Sequence, residues 1–510
     1  MPRRATIGDR RQFGCRAAVL LAMAAGATFV PVGHACTIGV ASGRATSDGR
    51  PLLWKVRDQG EYPDNQVIWN DNPANPYHFI AVANAGDTLA WMGVNEAGFA
   101  IVNSNSLDLV GRADFGNGSL MHHALGHCAT VDEFSRLLDS TSASGMRDVH
   151  ACYGVIDAGG AAWMFEVEDT SFWGYDADEA AEVVDGVIIR TNFSMAGGGA
   201  NGMARYLRSV ALIGDFCAGD SLNYRSLLTY HARDFSDANS EPIPVPYPGQ
   251  WNQNVPYGYF WTHLSICREG SVSGAVFRGV EPGQMPWQTT MWSLLGQPAS
   301  AIAVPIWPVG SPPSALAGAP TAPLCDTANL IRDLLFDCAY DDYLDSYKLR
   351  TETGRGLWGL IFPVEESLFD AADQLDAAWR LRRSSVADPA AASSMLAEQA
   401  LLCLEDAFAA LGAAEPVDDL CAEHTDGGMM ITWEPVTRSV AGTPLAATEY
   451  ELACANTPGP SSGGEPRTAT TEPRCVIRPA PLSGFFCRVT ARSNASSSIG
   501  PWVWVCPLGE

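Results

Sequence analysis

Cys36 is the residue of this sequence best suited to covalent chemistry, because of the segment that precedes it. Residues 1–16 hold five arginines against one aspartate, residues 17–32 are mostly apolar, and Gly33-His34-Ala35 puts small residues at the −3 and −1 positions of a cleavage site. This order is typical of an export signal peptide, and the apolar run is too short for a stable membrane span. Cleavage after Ala35 would make Cys36 the first residue of the mature chain.

An N-terminal cysteine can supply both a nucleophile and a base. Its α-amino group has a pKa of about 7.7–8.0, against about 10.4 for lysine, so a useful fraction of it is neutral at pH 7 and can accept a proton. The thiol is a strong nucleophile that is partly ionised at neutral pH. No histidine of the sequence lies in a recognisable cysteine-protease context. We therefore expect catalysis by Cys36 with its own amine as the base.

The leader leaves two alternatives open. Arg10-Arg11 resembles a twin-arginine export signal, and the general secretory route fits equally. A bacterial lipoprotein would also mature to an N-terminal cysteine, but Gly33 stands at −3, where a Leu-like residue is expected. We expect an exported bacterial protein that is periplasmic, on the cell surface or extracellular.

Five segments of the sequence together carry a resemblance to a known family: Cys36-Thr37, SDGRPLLWKVRD (47–58), GVNEAGFAIVNSNS (93–106), IIRTNFS (188–194) and GMARYLRS (202–209). In this order they resemble the cysteine N-terminal-nucleophile (Ntn) hydrolases that cleave linear amides. This family includes the choloylglycine hydrolases, the acyl-coenzyme A:6-aminopenicillanic acid acyltransferase-like group and, more distantly, dipeptidases with a Cys-Thr start. A single such segment occurs in many proteins, so it is their common order after a cleavable leader that favours the family.

The resemblance implies a role for each of these site residues. Cys36 would be the nucleophile, Asp58 would orient its α-ammonium group, and Arg205 would be the cation near the nucleophile. Asn105 and Asn192 would donate hydrogen bonds to the oxyanion.

Two of the assignments have alternatives. Lys55 falls where the family more often has arginine, and the nearby Arg57 competes for that role. Asn105 fits the spacing of the bile-salt hydrolases, whereas Asn103 fits a shorter one. Around Arg205, Ala204 and Gly202 depart from the usual Ser and Pro of the family motif.

The predicted fold class is α+β. The resemblance implies an αββα sandwich over residues 36–320, after a signal peptide at 1–35. Helical patterns over 321–415 predict an extension that packs on this domain. Residues 416–510 contain short alternating strands between Gly/Pro/Ser/Thr loops and resemble a fibronectin type III domain, an all-β immunoglobulin-like sandwich.

Local patterns predict individual elements. Short strands separated by Gly and Asn turns follow Cys36. Thr130 and Glu133 have the spacing of a capping box that opens a helix. Residues 327–344 read as one helix, and residues 240–262 as a long Pro-rich and aromatic loop.

Charge and cysteine content exclude some partners and suggest others. A formal net charge of −25 would repel phosphate backbones, so we expect no nucleic-acid partner. Twelve cysteines besides Cys15 and Cys36 suit disulfides in an exported chain, although the pairings cannot be deduced. Without a CxxC pair a zinc ribbon is not supported, and His123 with His127 would form a metal-binding face only if helical. We expect no cofactor.

Three functional hypotheses follow. The first is a secreted hydrolase, or acyltransferase, that cleaves a small-molecule linear amide other than a peptide bond through a thioester. The second is a secreted dipeptidase of the same fold. The third is a non-catalytic adhesion protein, in which the C-terminal domain contacts a cell surface or a polymer.

Overall fold

A computed structural model describes residues 36–60, 62–111, 114–145, 147–180, 182–236, 242–318, 321–381 and 388–412, and beyond these mainly the strands of the C-terminal region. The predicted signal peptide, residues 1–35, lies outside the described residues. The chain divides into two compact units. The first comprises residues up to 242, 262–328 and 368–398, and the second comprises 243–261, 329–367 and 399–510.

The secondary structure alternates short strands with helices. In chain order the strands are β1 (Thr37–Ala41), β2 (Leu52–Asp58), β3 (Asn65–Asn70), β4 (Phe79–Asn84), β5 (Met92–Asn95), β6 (Ala100–Asn105), β7 (Ala151–Ile156), β8 (Ala162–Val167), β9 (Phe172–Asp176), β10 (Val187–Arg190), β11 (Tyr259–Trp261), β12 (Ser271–Arg278), β13 (Thr290–Leu295), β14 (Val304–Ile306), β15 (Tyr343–Asp345), β16 (Leu420–Thr425), β17 (Gly428–Trp433), β18 (Glu449–Ala455), β19 (Arg467–Thr470), β20 (Arg474–Ile477), β21 (Phe485–Arg492), β22 (Ser497–Ile499) and β23 (Val503–Val505). The helices are α1 (Asp114–His127), α2 (Val131–Ser144), α3 (Met203–Ala218), α4 (Tyr224–Ser226), α5 (Pro323–Leu335), α6 (Ser346–Leu349), α7 (Leu357–Arg380) and α8 (Pro389–Gly412), with a π-helical turn at Leu227–His231 and a 3₁₀ turn at Pro286–Gln288.

Two antiparallel sheets form the centre of the first unit. One has the strand order β10-β1-β2-β12-β13-β14, and the other runs from β3 to β9 in sequence order. The strands β1 and β2 lie against β6 and β7 of the second sheet. The expected α+β class is thus observed, and the sheets are antiparallel.

The alternation of side chains along β2 explains how one strand serves two layers, since successive residues point to opposite faces. Leu53 lies beside Gly154 of β7, and Lys55 donates to Asn103 of β6, so both point toward the seven-stranded sheet. Trp54 points the other way and makes an edge contact with His231. Residues of β2 with odd numbers therefore face the space between the sheets.

Helices cover the outer faces. On the seven-stranded sheet, Leu125 of α1 and Phe134 of α2 share a buried core with strand residues that include Phe79 and Phe165. On the six-stranded sheet, α3 contacts β10, while α4 and the π-helical turn contact β12. The layers of this unit are therefore helix, sheet, sheet and helix.

The predicted start of α2 is confirmed. Thr130 is the N-cap, and its side chain accepts a hydrogen bond from the Glu133 backbone N–H. The Glu133 carboxylate accepts from Ala129 rather than from the Thr130 amide. The capping box is therefore displaced by one residue on its acidic side.

The second unit corrects one helix prediction. The helix expected over 327–344 ends at Leu335, and residues Tyr343–Asp345 instead form β15, which pairs with β11. Asp342 has a φ of 64°, in the left-handed region that interrupts a helix. A backbone partner for β15 therefore prevails over the helical periodicity of the sequence.

The described C-terminal strands form two antiparallel sheets. Their orders are β16-β17-β20 and β19-β18-β21-β22, with β23 also pairing with β21. Trp433 and Tyr450, one from each sheet, are buried and meet edge to face with ring centroids 5.4 Å apart. An all-β C-terminal region is thus observed, while its fibronectin type III assignment stays a prediction.

Candidate active site

Cys36 lies immediately before β1 and is buried. It faces a small cavity whose walls come from both sheets and from α1. The residues that line it are Cys36, Lys55, Arg57, Asp58, Trp91, Asn103, Asn105 and Asn117. Five of the residues singled out in the sequence as candidates or alternatives therefore share one cavity with the proposed nucleophile: Lys55, Arg57, Asp58, Asn103 and Asn105.

Lys55 and Arg57 place two cations in the wall of the cavity. The Lys55 Nζ donates to Asn103 Oδ1 at 2.7 Å and to the Trp91 carbonyl at 2.9 Å. Arg57 donates to Asn65 Oδ1 at 2.6 Å and lies over the Trp91 ring. Burial lowers the pKa of Lys55 to about 8, against the opposing effect of the nearby Cys36 sulfur, and lowers the pKa of Arg57 to about 10.

Asp58 is held by cations from two other segments. Its Oδ2 accepts from Arg268 Nε at 2.9 Å and lies 3.9 Å from Arg205 Nη1, while its Oδ1 accepts from Ser271 Oγ at 2.7 Å. Ser271 stands opposite Asp58 in the pairing of β12 with β2. Because its carboxylate is buried and held from both sides, Asp58 has a fixed orientation.

Arg205 connects the nucleophile to one of the candidate oxyanion donors. From the first turns of α3, its Nη1 donates to the Cys36 carbonyl at 2.7 Å and to Thr37 Oγ1 at 3.1 Å, and its Nη2 donates to Asn192 Oδ1 at 2.6 Å. Burial, together with the like charge of Arg268, lowers the pKa of Arg205 to about 10. The guanidinium thus holds residues from β1 and from the end of β10 in one arrangement.

The two expected oxyanion donors come from different sheets and are joined directly. Asn192 follows β10, and its Nδ2 donates to the Asn105 carbonyl at 3.0 Å. Asn105 ends β6, and its Oδ1 accepts from Asn117 Nδ2 at 2.6 Å. Asn103 is bound to Lys55 instead. The structure thus brings both Asn103 and Asn105 to the cavity and ties Asn105 to Asn192.

Sequence reasoning missed three residues of this site: Arg268, Asn117 and Trp91. Arg268 precedes the Gly-Ser turn that opens β12, and only the pairing of β12 with β2 brings it to Asp58. Asn117 lies in α1 beyond the segment that carries the family resemblance. No local sequence pattern marks Arg268, Asn117 or Trp91, so only the tertiary structure assigns them to the site.

The histidine pair expected as a metal face only in a helix does lie in α1. The His123 and His127 rings stack with centroids 4.1 Å apart, and His127 Nδ1 bonds to the His123 carbonyl. Burial and the neighbouring histidines lower the pKa of His123. Among the described residues no group of three His, Cys, Asp or Glu side chains is arranged to hold a metal ion.

The disulfide expectation is not supported among the described residues. Free thiols there include Cys36, Cys128, Cys152, Cys217, Cys267, Cys338 and Cys403. Most are buried among apolar groups, which raises the pKa of Cys128 to about 12. Within the same described residues, no helix has the length and apolar character needed to cross a membrane.

Comparison with known proteins gives likeness only at the level of structure. No family model matches the sequence, and no curated protein does. A conjugated bile acid hydrolase variant from Clostridium perfringens is similar at 16% identity and a TM-score of 0.22, over 30% of this chain and 52% of that chain; the chain thus spans about half the length of that hydrolase.

Two further solved structures are similar. Penicillin V acylase from Agrobacterium tumefaciens has 11% identity and a TM-score of 0.32, over 53% of this chain and 86% of that chain. An orthologue of N-acylethanolamine-hydrolyzing acid amidase from Caenorhabditis elegans has 13% identity and a TM-score of 0.23, over 31% and 70%. These scores are too low to establish a shared fold, so the function must be argued from the site.

Proposed function

We propose that this protein is an exported Ntn hydrolase that cleaves a linear amide of a small molecule through a thioester on Cys36. The observation that carries the proposal is the convergence of residues on one buried cavity. Cys36 stands at the start of β1, Asp58 at the end of β2 and Asn105 at the end of β6, and Arg205 bonds both the Cys36 carbonyl and Asn192.

The chemistry requires a free α-amine on Cys36, which removal of residues 1–35 would provide. The amine accepts the thiol proton, and the sulfur attacks the amide carbonyl, so that a C–S bond forms and the carbonyl oxygen becomes an oxyanion. The resulting α-ammonium, oriented by Asp58, then gives its proton to the leaving nitrogen as the C–N bond breaks. Water attacks the thioester and releases the acid, and the proton it loses returns through the amine to the sulfur.

Stabilisation of the oxyanion is the part of the mechanism that depends most on geometry. Asn192 and Asn105 are the proposed donors, and each would lower the barrier by about 3–4 kcal/mol. The direct bond between them and the Arg205 bridge to Cys36 support this role, because preorganised donors need no rearrangement when the charge develops. Lys55 and Arg57 add positive charge to the same cavity wall.

The test is covalent trapping in the purified mature protein. Incubation with a chromogenic N-acyl amide should give a mass increase equal to the acyl group on the peptide that begins at Cys36, and Cys36→Ala should abolish both the adduct and turnover. Cys267→Ala is a matched control, since that thiol is also buried in the same unit but outside the cavity. Wild-type turnover by the Cys36→Ala variant would refute the proposal.

The same assay separates the alternatives. A panel of dipeptides beside N-acyl amides would identify a dipeptidase if only the peptides are cleaved. Absence of acylation by either class, together with binding of the intact protein to cell-wall or polymer preparations, would favour the adhesion hypothesis.

A further inference from the structure

The loop that follows Asn192 is held by two carboxylates, one that follows β6 and one in β8. Four of its backbone N–H groups, from residues 194 to 199, donate to two side chains. Asp108 accepts from Ser194 and Gly199, and Glu166 accepts from Met195 and Ala196. Hydrogen bonds from backbone amides to ionised carboxylates are among the stronger ones in proteins. Asp108 therefore holds the two ends of the 194–199 segment, and Glu166 holds the residues that follow Ser194.

Asp108 is the anchor that connects the two oxyanion segments. It lies three residues beyond Asn105. Its Oδ2 accepts from the Gly199 amide at 2.7 Å, and its Oδ1 accepts from the Ser194 amide at 3.0 Å and from Ser106 Oγ at 2.7 Å. One carboxylate thus joins the end of β6 to the loop after β10, two segments that belong to different sheets.

The loop is shaped to fit this carboxylate. A Cβ atom on Gly197 would lie 2.5 Å from the Asp108 carbonyl oxygen, and one on Gly199 would lie 2.8 Å from the Asp108 Cβ. Gly198, between them, has a φ of 74°, which favours glycine. The glycines let the backbone approach Asp108 closely enough for its amides to bond.

We propose that Asp108 is a positioning residue that sets the separation of Asn105 and Asn192. This inference rests on the proposed function, in which both asparagines bind the oxyanion. Direct contacts between the segments include the bond from Asn192 Nδ2 to the Asn105 carbonyl, the bond from the Leu107 amide to the Asn192 carbonyl at 3.2 Å, and the bond from Ser104 Oγ to the Thr191 carbonyl at 2.5 Å. The first two lie beside the Asp108 anchor, so loosening the anchor would let the donors move apart.

The variant Asp108→Asn tests the inference with little change of shape. It removes the charge and turns an amide NH₂ toward backbone N–H donors. Asp157→Asn is the matched control, because the Asp157 carboxylate likewise joins two segments, through the amides of Val131, Gly159 and Ala161, but outside the cavity. Both variants should lose thermal stability, so stability alone does not separate them.

Three measurements distinguish positioning from general loosening. In Asp108→Asn, kcat should fall by about 100-fold with little change in KM, as expected when donors are misplaced by about 1 Å. A peptide-aldehyde or acyl-aldehyde analogue, which forms an oxyanion-like adduct, should bind correspondingly less tightly. Alkylation of Cys36 by iodoacetamide, which needs no oxyanion donor, should keep its rate. Asp157→Asn should retain kcat.

Amide hydrogen exchange provides a readout that does not depend on turnover. Exchange in residues 190–200 should accelerate in Asp108→Asn and stay unchanged in Asp157→Asn. Equal kcat and equal exchange in the two variants would overturn the inference while leaving the proposed function intact. If no amide acylates Cys36 of the wild-type protein, the proposed function is overturned. Unchanged exchange in residues 190–200 of Asp108→Asn would then independently exclude Asp108 as the anchor of this loop.

Discussion

Replacing Arg205 is the perturbation that bears most directly on how the site is assembled. Its guanidinium makes three buried hydrogen bonds, to the Cys36 carbonyl, Thr37 Oγ1 and Asn192 Oδ1. Arg205→Met keeps most of the side-chain volume and removes all three. Arg205→Lys keeps the charge, but a single ammonium cannot reproduce the fork that reaches Cys36 and Asn192 together.

The expected magnitude follows from these contacts. Each buried acceptor that loses its donor costs about 1–3 kcal/mol. The loss is offset in part because burying a guanidinium is itself unfavourable, as the lowered pKa of Arg205 indicates. Asp58 also retains its bonds from Arg268 and Ser271, so no carboxylate is left alone. We expect Arg205→Met to lower the free energy of unfolding by about 2–4 kcal/mol.

The effect on catalysis should be about as large in free energy as the effect on folding. Loss of the Arg205 bond releases the Asn192 amide from its fixed orientation, and removal of one oxyanion donor costs about 10²–10³ in kcat. Arg205→Lys should fall between the wild type and Arg205→Met.

Arg208 provides the control on the same helix. It is mostly buried and pairs with Asp234 at 2.7 Å, so Arg208→Met removes a guanidinium and its ion pair from the same helix without touching Cys36 or Asn192. Urea unfolding and steady-state kinetics of the three variants are the assays. If Arg205→Met and Arg208→Met show the same kcat, the bridge to Asn192 has no part in catalysis and the reasoning is refuted.

Three further predictions concern stability. Burial lowers the pKa of Lys55 from 10.5 to about 8, so the unfolded state binds more protons than the folded state between these pH values. Over that window the stability of the wild type should rise with pH by up to about 3 kcal/mol relative to Lys55→Met in matched urea titrations. Parallel stability curves of the two proteins would contradict this. Burial lowers the pKa of His231 to about 3, so stability should be lost as pH falls from about 6.5 toward 3. His231→Gln, which can still bond Ser209, should reduce this fall of the melting temperature at acid pH. An unchanged fall in the variant would show that His231 is not responsible. A Cβ on Gly39 would lie 2.0 Å from the Trp54 ring, so Gly39→Ala should destabilise by about 1–3 kcal/mol or more in thermal unfolding, and a wild-type melting temperature would mean that β1 and Trp54 are packed differently.

The parts of this site that could be predicted are those that sit on short local patterns. Asp58 and Asn105 each end a strand, Asn192 follows one, and the alternation of apolar and turn residues around them predicts both the strand and its end. The order of these segments along the chain carried the resemblance. Residues of that kind are readable because their surroundings in sequence are also their surroundings in space.

Other features depend on contacts that the sequence does not display. Arg268 reaches Asp58 across the pairing of β12 with β2, more than two hundred residues away in the chain. Residues 343–345 lose their helical prediction to a strand partner from β11. Cysteine counting predicted disulfides, but described thiols such as Cys152 and Cys267 are buried as apolar side chains. In each case the structure is determined by contacts between residues that are distant in the chain, which a local sequence pattern does not show.

The identity of the first residue is the central claim. Intact-mass measurement combined with N-terminal sequencing of catalytically active protein, recovered after export from its own host, tests it directly. The account predicts a chain that begins at Cys36 with an unmodified amino group. Fully active protein that still carries Ala35, or a lipid or acyl group on the nitrogen of Cys36, would contradict it.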